Sequence, residues 1–256
     1  MSHLPKDLNG ATVLPQYADI LEWMPEIVDQ GKLGSCTANA AACLLDTYRI
    51  VAGKKPYDPS RLFIYYYSRM MLDGKVEDAG CTNRATMAAL AKYGAPPNWM
   101  WRYIESWHDH APTWLSRKVA EKHQVTIYMA LVEPEDPKQP SLLDQIKAQI
   151  MLKRPILFGA SLYESLTSDD KGYIYYPGED EQYLGDHAMV IVGYDDRKRM
   201  VNPIDKKVTL GAFRIRNSWS TAWGDGGYGW MPYEYLTNEA CGPYMDDLWV
   251  ILQLEL

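Results

Sequence analysis

Gln30-Gly-Lys-Leu-Gly-Ser-Cys36 runs straight into Thr37-Ala-Asn-Ala-Ala-Ala-Cys-Leu-Leu-Asp-Thr-Tyr-Arg49, so a glycine-punctuated loop ends on a cysteine that opens a helix. A helix start presents unpaired backbone N–H groups and the positive end of the macrodipole, and both favour thiolate over thiol. On this reading Cys36 is a nucleophile. Gln30, upstream in the same loop, is placed to give a side-chain N–H to an oxyanion. A lone cysteine at such a place is also commonly a small buried residue, so the rest of the chain must supply a base.

Downstream lies Gly185-Asp-His187-Ala-Met-Val-Ile-Val-Gly-Tyr-Asp195, a histidine heading an apolar run short enough for a buried strand. Then come Phe213-Arg-Ile-Arg-Asn217-Ser-Trp219 and Trp223-Gly-Asp-Gly-Gly-Tyr-Gly229. Taken singly, His187 reads as well as a satisfied core residue and Asn217 as a turn residue. Taken in the order Gln, Cys, His, Asn, the segments resemble the papain-like cysteine peptidases. Leu14-Pro15 through Asp19 is similar to the start of the mature family enzyme, and Asn217-Ser-Trp219 to its Asn-Ser-Trp signature. Cys241-Gly-Pro-Tyr244 is similar to its near-terminal Cys-Gly segment.

The resemblance implies a cysteine endopeptidase that hydrolyses peptide bonds of a peptide or protein substrate through a thioester acyl-enzyme, with no cofactor and no metal. Cys36 would attack the carbonyl, His187 would move the protons, and Asn217 would orient the imidazole ring. Gln30 and the Cys36 N–H would form the oxyanion hole, and Trp219 would shield the His187–Asn217 hydrogen bond. An amine in place of water would turn the same acyl-enzyme into a ligase or amidase, and an inactive binding protein on the scaffold is a third reading.

The departures carry information too. The family signature has Cys-Gly-Ser-Cys followed by an aromatic, whereas Leu33-Gly-Ser-Cys36-Thr37 lacks the first cysteine. Cys81 sits where that cysteine's disulfide partner would be, and Cys241 sits at a second half-cystine whose partner position, near Glu181, holds no cysteine. Cys43, two turns on from Cys36, reads as a small core residue. Four reduced thiols and the polar start Ser2 to Asn9 lead to the expectation of a cytoplasmic or other reducing compartment, with packaging in a virus particle or signal-independent export as alternatives. Family zymogens carry a long inhibitory prosegment, whereas Met1 to Val13 precede the mature-like start here; either control lies elsewhere or the numbering begins after processing. No stretch reaches the length of a membrane span, and 26 basic against 33 acidic residues, net charge −7, argue against nucleic acid as the main partner.

Helical patterns come first: Thr37 to Arg49, Ser60 to Leu72 with Ser60 as N-cap, Thr82 to Tyr93 ended by Gly94, and Thr113 to Gln124. After a helix from Ser141 to Lys153, stopped by Pro155, short strands follow at Ile156–Tyr163, Tyr173–Tyr176, Ala188–Tyr194, Ala212–Arg216, Tyr228–Pro232 and Leu248–Leu252. Helices followed by strands predict an α+β fold. This fits the papain-like pair that the resemblance implies, a helical left domain and a β-barrel-like right domain with the cleft between them. The expected boundaries are an extension over 1–13, a helical part over 14–132 carrying the thiol, and a β part over 133–256 carrying His187 and Asn217. Glu133-Pro-Glu-Asp-Pro-Lys-Gln-Pro140 is the natural crossing between them.

Substrate-binding candidates follow from the resemblance. Asn83-Arg84 occupy the places of a family Gly-Gly pair, and Asp246 falls at the floor of the pocket for the second residue before the scissile bond (P2). Asp186 sits beside His187 at the rim or in a solvated loop. Trp107-His108-Asp-His110 offers imidazoles at i and i+2, which share no helix face and read as loop residues.

Overall fold

The computed structural model describes residues 13–168, 171–238 and 244–255. Its centre is helix α1 (Cys36–Val51), in which every residue from Thr37 to Thr47 is buried. The Ala-rich first half favours helix and presents little bulk, so neighbours approach α1 from several sides. Helices α2 (Arg61–Leu72) and α3 (Asn83–Tyr93) pack on it, as do the strands of the sheet. The expected Ser60 cap accepts from the Phe63 N–H and Gly94 closes α3 at φ 70°, while Thr82, expected as the first helical residue, is the cap of α3 and accepts from the Ala85 N–H. A side chain at Gly94 would meet the Ala120 carbonyl oxygen at 2.0 Å, which leaves only glycine for that corner.

Helix α4 (Trp114–Ala120) is shorter than the predicted Thr113–Gln124, because the chain turns at Glu121–His123 into strand β2 (Val125–Ala130). Helix α5 (Leu142–Met151) starts on Ser141, whose hydroxyl accepts from the Asp144 N–H and donates to the Asp144 carboxylate. A last short helix, α6, spans Glu234–Thr237.

Strands β1 (Tyr17–Asp19), β3 (Ile156–Tyr163), β4 (Tyr183–Val201), β5 (Val208–Arg216), β6 (Tyr228–Pro232) and β7 (Met245–Leu254) complete one antiparallel sheet in the order β2-β7-β3-β4-β5-β6, with β1 paired to β4. This α+β arrangement agrees with the expected class, but three strand expectations need correcting. Tyr173–Tyr176 is not a strand; it touches the sheet through one bridge, Tyr173 to Trp230, because Gly172 at φ 72° turns the chain onto the edge strand β6. Strands β4 and β5 run well past the apolar runs that announced them, as a hairpin whose register shifts between Asp195 and Arg199 and whose Met200 and Ala212 pack on Tyr175. β1 and β2 were not foreseen. β2 alternates without a strong apolar stripe and is held by the backbone ladder to β7.

The largest enclosed side chains, Tyr65, Tyr194, Tyr235, Phe63, Phe158 and Phe213, come from helices and sheet alike. Cys43 is buried in the core as expected. Among the described residues Cys36, Cys43 and Cys81 are free thiols, while Cys241 lies outside them. No helix among them is long and apolar enough to cross a membrane.

Candidate active site

Cys36 opens α1 as expected, and the N-cap residue Ser35 spends no side-chain hydrogen bond on the helix start. The Ser35 side chain therefore occupies none of the first-turn N–H groups, of which that of Asn39 donates to the Ser35 carbonyl at 3.0 Å. Burial pushes the Cys36 thiol up from its ordinary value, and N–H groups of Ala188, Thr37 and Cys36 itself work against that rise without cancelling it. Desolvation here outweighs the local amides, so the helix start does not by itself bring the thiol below its ordinary value, and the expected thiolate depends on His187 as well. The contact with Ala188 also locates the sulfur, beside strand β4 and next to His187.

His187 is buried, and its imidazole is pushed down to about 4 by burial, against a hydrogen bond with Asn217 that raises it. With the ring Nε2–H donating to Asn217 Oδ1 at 2.7 Å, Nδ1 is left as the basic nitrogen. Asn217 follows the last residue of β5. Its Oδ1 also accepts from the Ser218 N–H at 2.8 Å, and its own N–H donates to the Gly227 carbonyl at 3.0 Å. Trp219 stacks on the His187 ring at 4.6 Å and 26°, and Trp223 meets Trp219 edge-on at 5.8 Å. The Trp219 indole thus covers one face of the imidazole.

Gln30 is joined to the same segment from the other side. Its N–H donates to the Ser218 carbonyl at 2.9 Å, Ser218 Oγ donates to its Oε1 at 2.6 Å, and its Nε2 donates to the Leu33 carbonyl at 3.0 Å. An amide nitrogen has two protons. One is taken by Leu33; Gln30 is buried and is not among the residues that line the Cys36 cleft. Ser218, read in the sequence only as part of a motif, thus fixes which end of the Gln30 amide carries the donor.

Cys36 and His187 face a cleft of about 760 Å³, lined as well by Asn83, Arg84, Asp186 and Asp246. All four substrate-binding candidates therefore lie on one cavity with the thiol. Its far wall is built unlike a bare Gly-Gly edge. Asp247 Oδ2 accepts from the N–H groups of Asn83 (2.9 Å) and Arg84 (3.3 Å), Asn83 Nδ2 donates to the Asp247 carbonyl, and Asp247 Oδ1 accepts from Trp249 Nε1. The Arg84 guanidinium lies over the Trp249 ring at 5.5 Å. Asp186 accepts from Ser161 Oγ at 2.9 Å. Asp247 carries no local signature, because the Asn83 and Arg84 N–H groups that it accepts from lie 164 and 163 residues away. His108 and His110 sit elsewhere, against the Glu105 carbonyl and the Asp109 carboxylate. Among the described residues no group of three His, Cys, Asp or Glu side chains is placed to hold a metal ion.

Comparison with known proteins adds to this geometry. The family model described as papain family cysteine protease matches residues 14–248. An uncharacterized peptidase C1-like protein of Acanthamoeba polyphaga mimivirus is 30% identical over 98% of this chain and 76% of its own length. Among solved structures, xylellain, a cysteine protease from Xylella fastidiosa, superposes with a TM-score of 0.77 at 31% identity, covering 93% of this chain and 86% of that one. Digestive procathepsin L 3 of Tenebrio molitor larval midgut shares the fold, with a TM-score of 0.64 at 14% identity over 90% of this chain and 68% of that one.

Proposed function

The chain belongs to the papain family of cysteine proteases, and on that premise we propose that it is a cysteine endopeptidase working through Cys36, His187 and Asn217. The observation that carries the reading is the 2.7 Å bond from His187 Nε2 to the buried Asn217 Oδ1, with His187 itself lining the cleft that also holds Cys36. The fold division expected from the sequence belongs to the same proposal, with the helical part supplying the thiol and the sheet supplying the base. Strands β1 and β2 are parts of 14–132 that cross to the sheet.

Burial makes a lone thiolate and a lone imidazolium both costly, so the charged pair forms in one proton transfer, from Sγ to the basic ring nitrogen. Opposite charges then offset part of the desolvation that neither meets alone. Asn217 accepts the Nε2 proton in both ring states, which keeps the basic nitrogen aimed at the sulfur, and it adds no charge of its own. The thiolate attacks the carbonyl carbon of the scissile bond. The developing oxyanion is met by the second Gln30 Nε2 proton and the Cys36 N–H, a kind of donor whose removal costs about 10² to 10³ in rate. Imidazolium gives its proton to the leaving amine, the thioester remains, and water activated by His187 releases the acid.

A reducing compartment fits the free Cys36, Cys43 and Cys81. The test is direct. Cys36→Ala abolishes cleavage of a peptide library while its far-UV circular dichroism stays that of the parent. Limiting iodoacetamide alkylates Cys36 ahead of Cys81, which burial pushes up to about 11, and ahead of the enclosed Cys43. Turnover retained by the alanine variant overturns the assignment. Product mass spectrometry with an added amine reads any transfer to the amine directly.

A further inference from the structure

Behind the loop that carries Gln30 and Cys36 lies a chain of hydrogen bonds that none of the assigned roles uses. Arg61 Nη1 donates to Asn39 Oδ1 at 2.8 Å and to the Asp29 carbonyl at 2.9 Å. Asn39 Nδ2 donates to Ser35 Oγ at 3.0 Å and to the Ser35 carbonyl at 2.9 Å. Ser35 Oγ and the Tyr103 hydroxyl are 2.6 Å apart, and the Tyr103 hydroxyl donates to the Gln30 carbonyl at 2.7 Å. A phenol has one proton. Since that proton goes to Gln30, Ser35 must be the donor to Tyr103, and all the bonds run one way, from Arg61 to Gln30.

One atom, the Tyr103 oxygen, therefore ties both ends of the loop 30–35. The two ends matter differently from the middle, because Gln30 carries one oxyanion donor and the residue after Ser35 carries the other. The same bond draws the Ser35 hydroxyl away from capping α1, which fits the absence of a side-chain cap there. In a helix start whose N-cap hydroxyl turned inward, that oxygen would compete for the first-turn N–H groups. Tyr103 is itself held on three sides: its N–H donates to Asn98 Oδ1 at 3.1 Å, its ring lies 4.1 Å under the Arg61 guanidinium, and its hydroxyl ends the chain. Burial pushes the phenol above its usual range, so it remains a donor across the working pH of a thiol enzyme.

We propose that Tyr103 is a positioning residue which sets the separation of the two oxyanion donors, Gln30 Nε2 and the Cys36 N–H, through its hydroxyl. The inference rests on the protease reading above. It assigns Tyr103 no contact with substrate; the hydroxyl acts through Gln30 and Ser35.

A donor misplaced by a fraction of an ångström still binds ground-state substrate but meets the transition state poorly. Tyr103→Phe is expected to lower kcat by about tenfold or more with KM changed less than about twofold. Affinity for a peptide aldehyde, whose adduct with Cys36 carries the oxyanion, should fall by a similar factor. The rate at which iodoacetamide alkylates Cys36 should not change, because that reaction forms no oxyanion. Ser35→Ala opens the other half of the tie and should lose kcat in the same sense. Combined with Tyr103→Phe it should cost little more than either alone.

A merely structural role would move labelling, KM and thermal midpoint together, and that pattern, or an unchanged aldehyde affinity, overturns the proposal. Should Tyr103→Phe not fold, Ser35→Ala alone decides, on the same split between aldehyde affinity and alkylation rate. A parent protein inert to both peptide and aldehyde would take down the protease reading and this one with it. An active parent with unaffected variants would take down this one alone.

Discussion

Asp246 holds its carboxylate over a stretch of β3 that has no side chain: a Cβ on Gly159 would come within 3.2 Å of Asp246 Oδ1. The pairing register runs Ala188, Gly159, Asp246 across β4, β3 and β7, so the carboxylate lies two strands from the residue after His187. Burial, then the negative charges of Asp247 and Asp186, push the Asp246 carboxyl up. An ammonium or guanidinium brought there relieves that repulsion, whereas an apolar side chain does not. Asp246→Ala is therefore expected to lower kcat/KM for substrates with Arg at P2 several-fold more than for those with Leu at P2. Paired assays with the two substrates read the difference, and equal losses would place Asp246 outside the pocket. The Asn83 and Arg84 backbone N–H groups, by contrast, already have the Asp247 carboxylate and are not free for substrate.

Between elements, two carboxylates tie distant segments together. Asp247, at φ 49° in β7, joins that strand to the first turn of α3. Glu181 is buried and accepts from the Ser165 and Gly178 N–H groups at 3.0 and 2.9 Å and from Asn202 Nδ2. Burial alone would raise the Glu181 carboxyl, but the donors outweigh it and the net direction is down. A carboxyl held below its unfolded value stabilises the fold above that value and loses the contribution as pH falls through the folded one. Glu181→Gln keeps the shape and exchanges an acceptor for a donor that faces other donors. Urea denaturation at neutral pH should show a loss of about 1 to 3 kcal/mol, shrinking as the parent is titrated into the carboxylate range. A constant loss down to low pH would mean that charge is not the reason.

For the molecule as a whole, two buried groups pull stability in opposite directions over one pH range. His187 at about 4 in the fold, against an ordinary value near 6.5, binds fewer protons folded than unfolded between the two, so its contribution is full above about 6.5 and is lost as pH falls toward 4. Asp46 behaves oppositely. Burial is the largest cause raising its carboxyl to about 6, against the Tyr57 and Asp58 N–H groups, so the fold binds more protons between about 3.8 and 6 and the contribution weakens as pH rises. Thermal midpoints recorded from pH 4 to 7 should separate the two. His187→Gln should remove the part that climbs with pH, and Asp46→Asn the part that falls. A parent and a His187→Gln variant with parallel profiles would show that the imidazole is not neutralised by burial.

What the sequence determined by itself was local or patterned: the loop into Cys36, the caps at Ser60 and Ser141, the Gly94 stop, and the order of Gln30, Cys36, His187 and Asn217. These signals need only a few neighbouring residues, or a motif short enough to be read whole. The α+β class was legible for the same reason, since the hydrophobic period changes along the chain. Tertiary structure alone decided the rest. β2 is a strand because β7 pairs with it, Tyr173–Tyr176 is not because it meets the edge of β6 through a single bridge, and the protonation of Cys36 is set by burial that no local pattern records. Asp247 and Tyr103 carry no signature, and the role of Ser218 within its motif is not legible, since their bonding partners on Asn83 and Arg84, on Gln30 and Ser35, and on Gln30 come from distant parts of the chain.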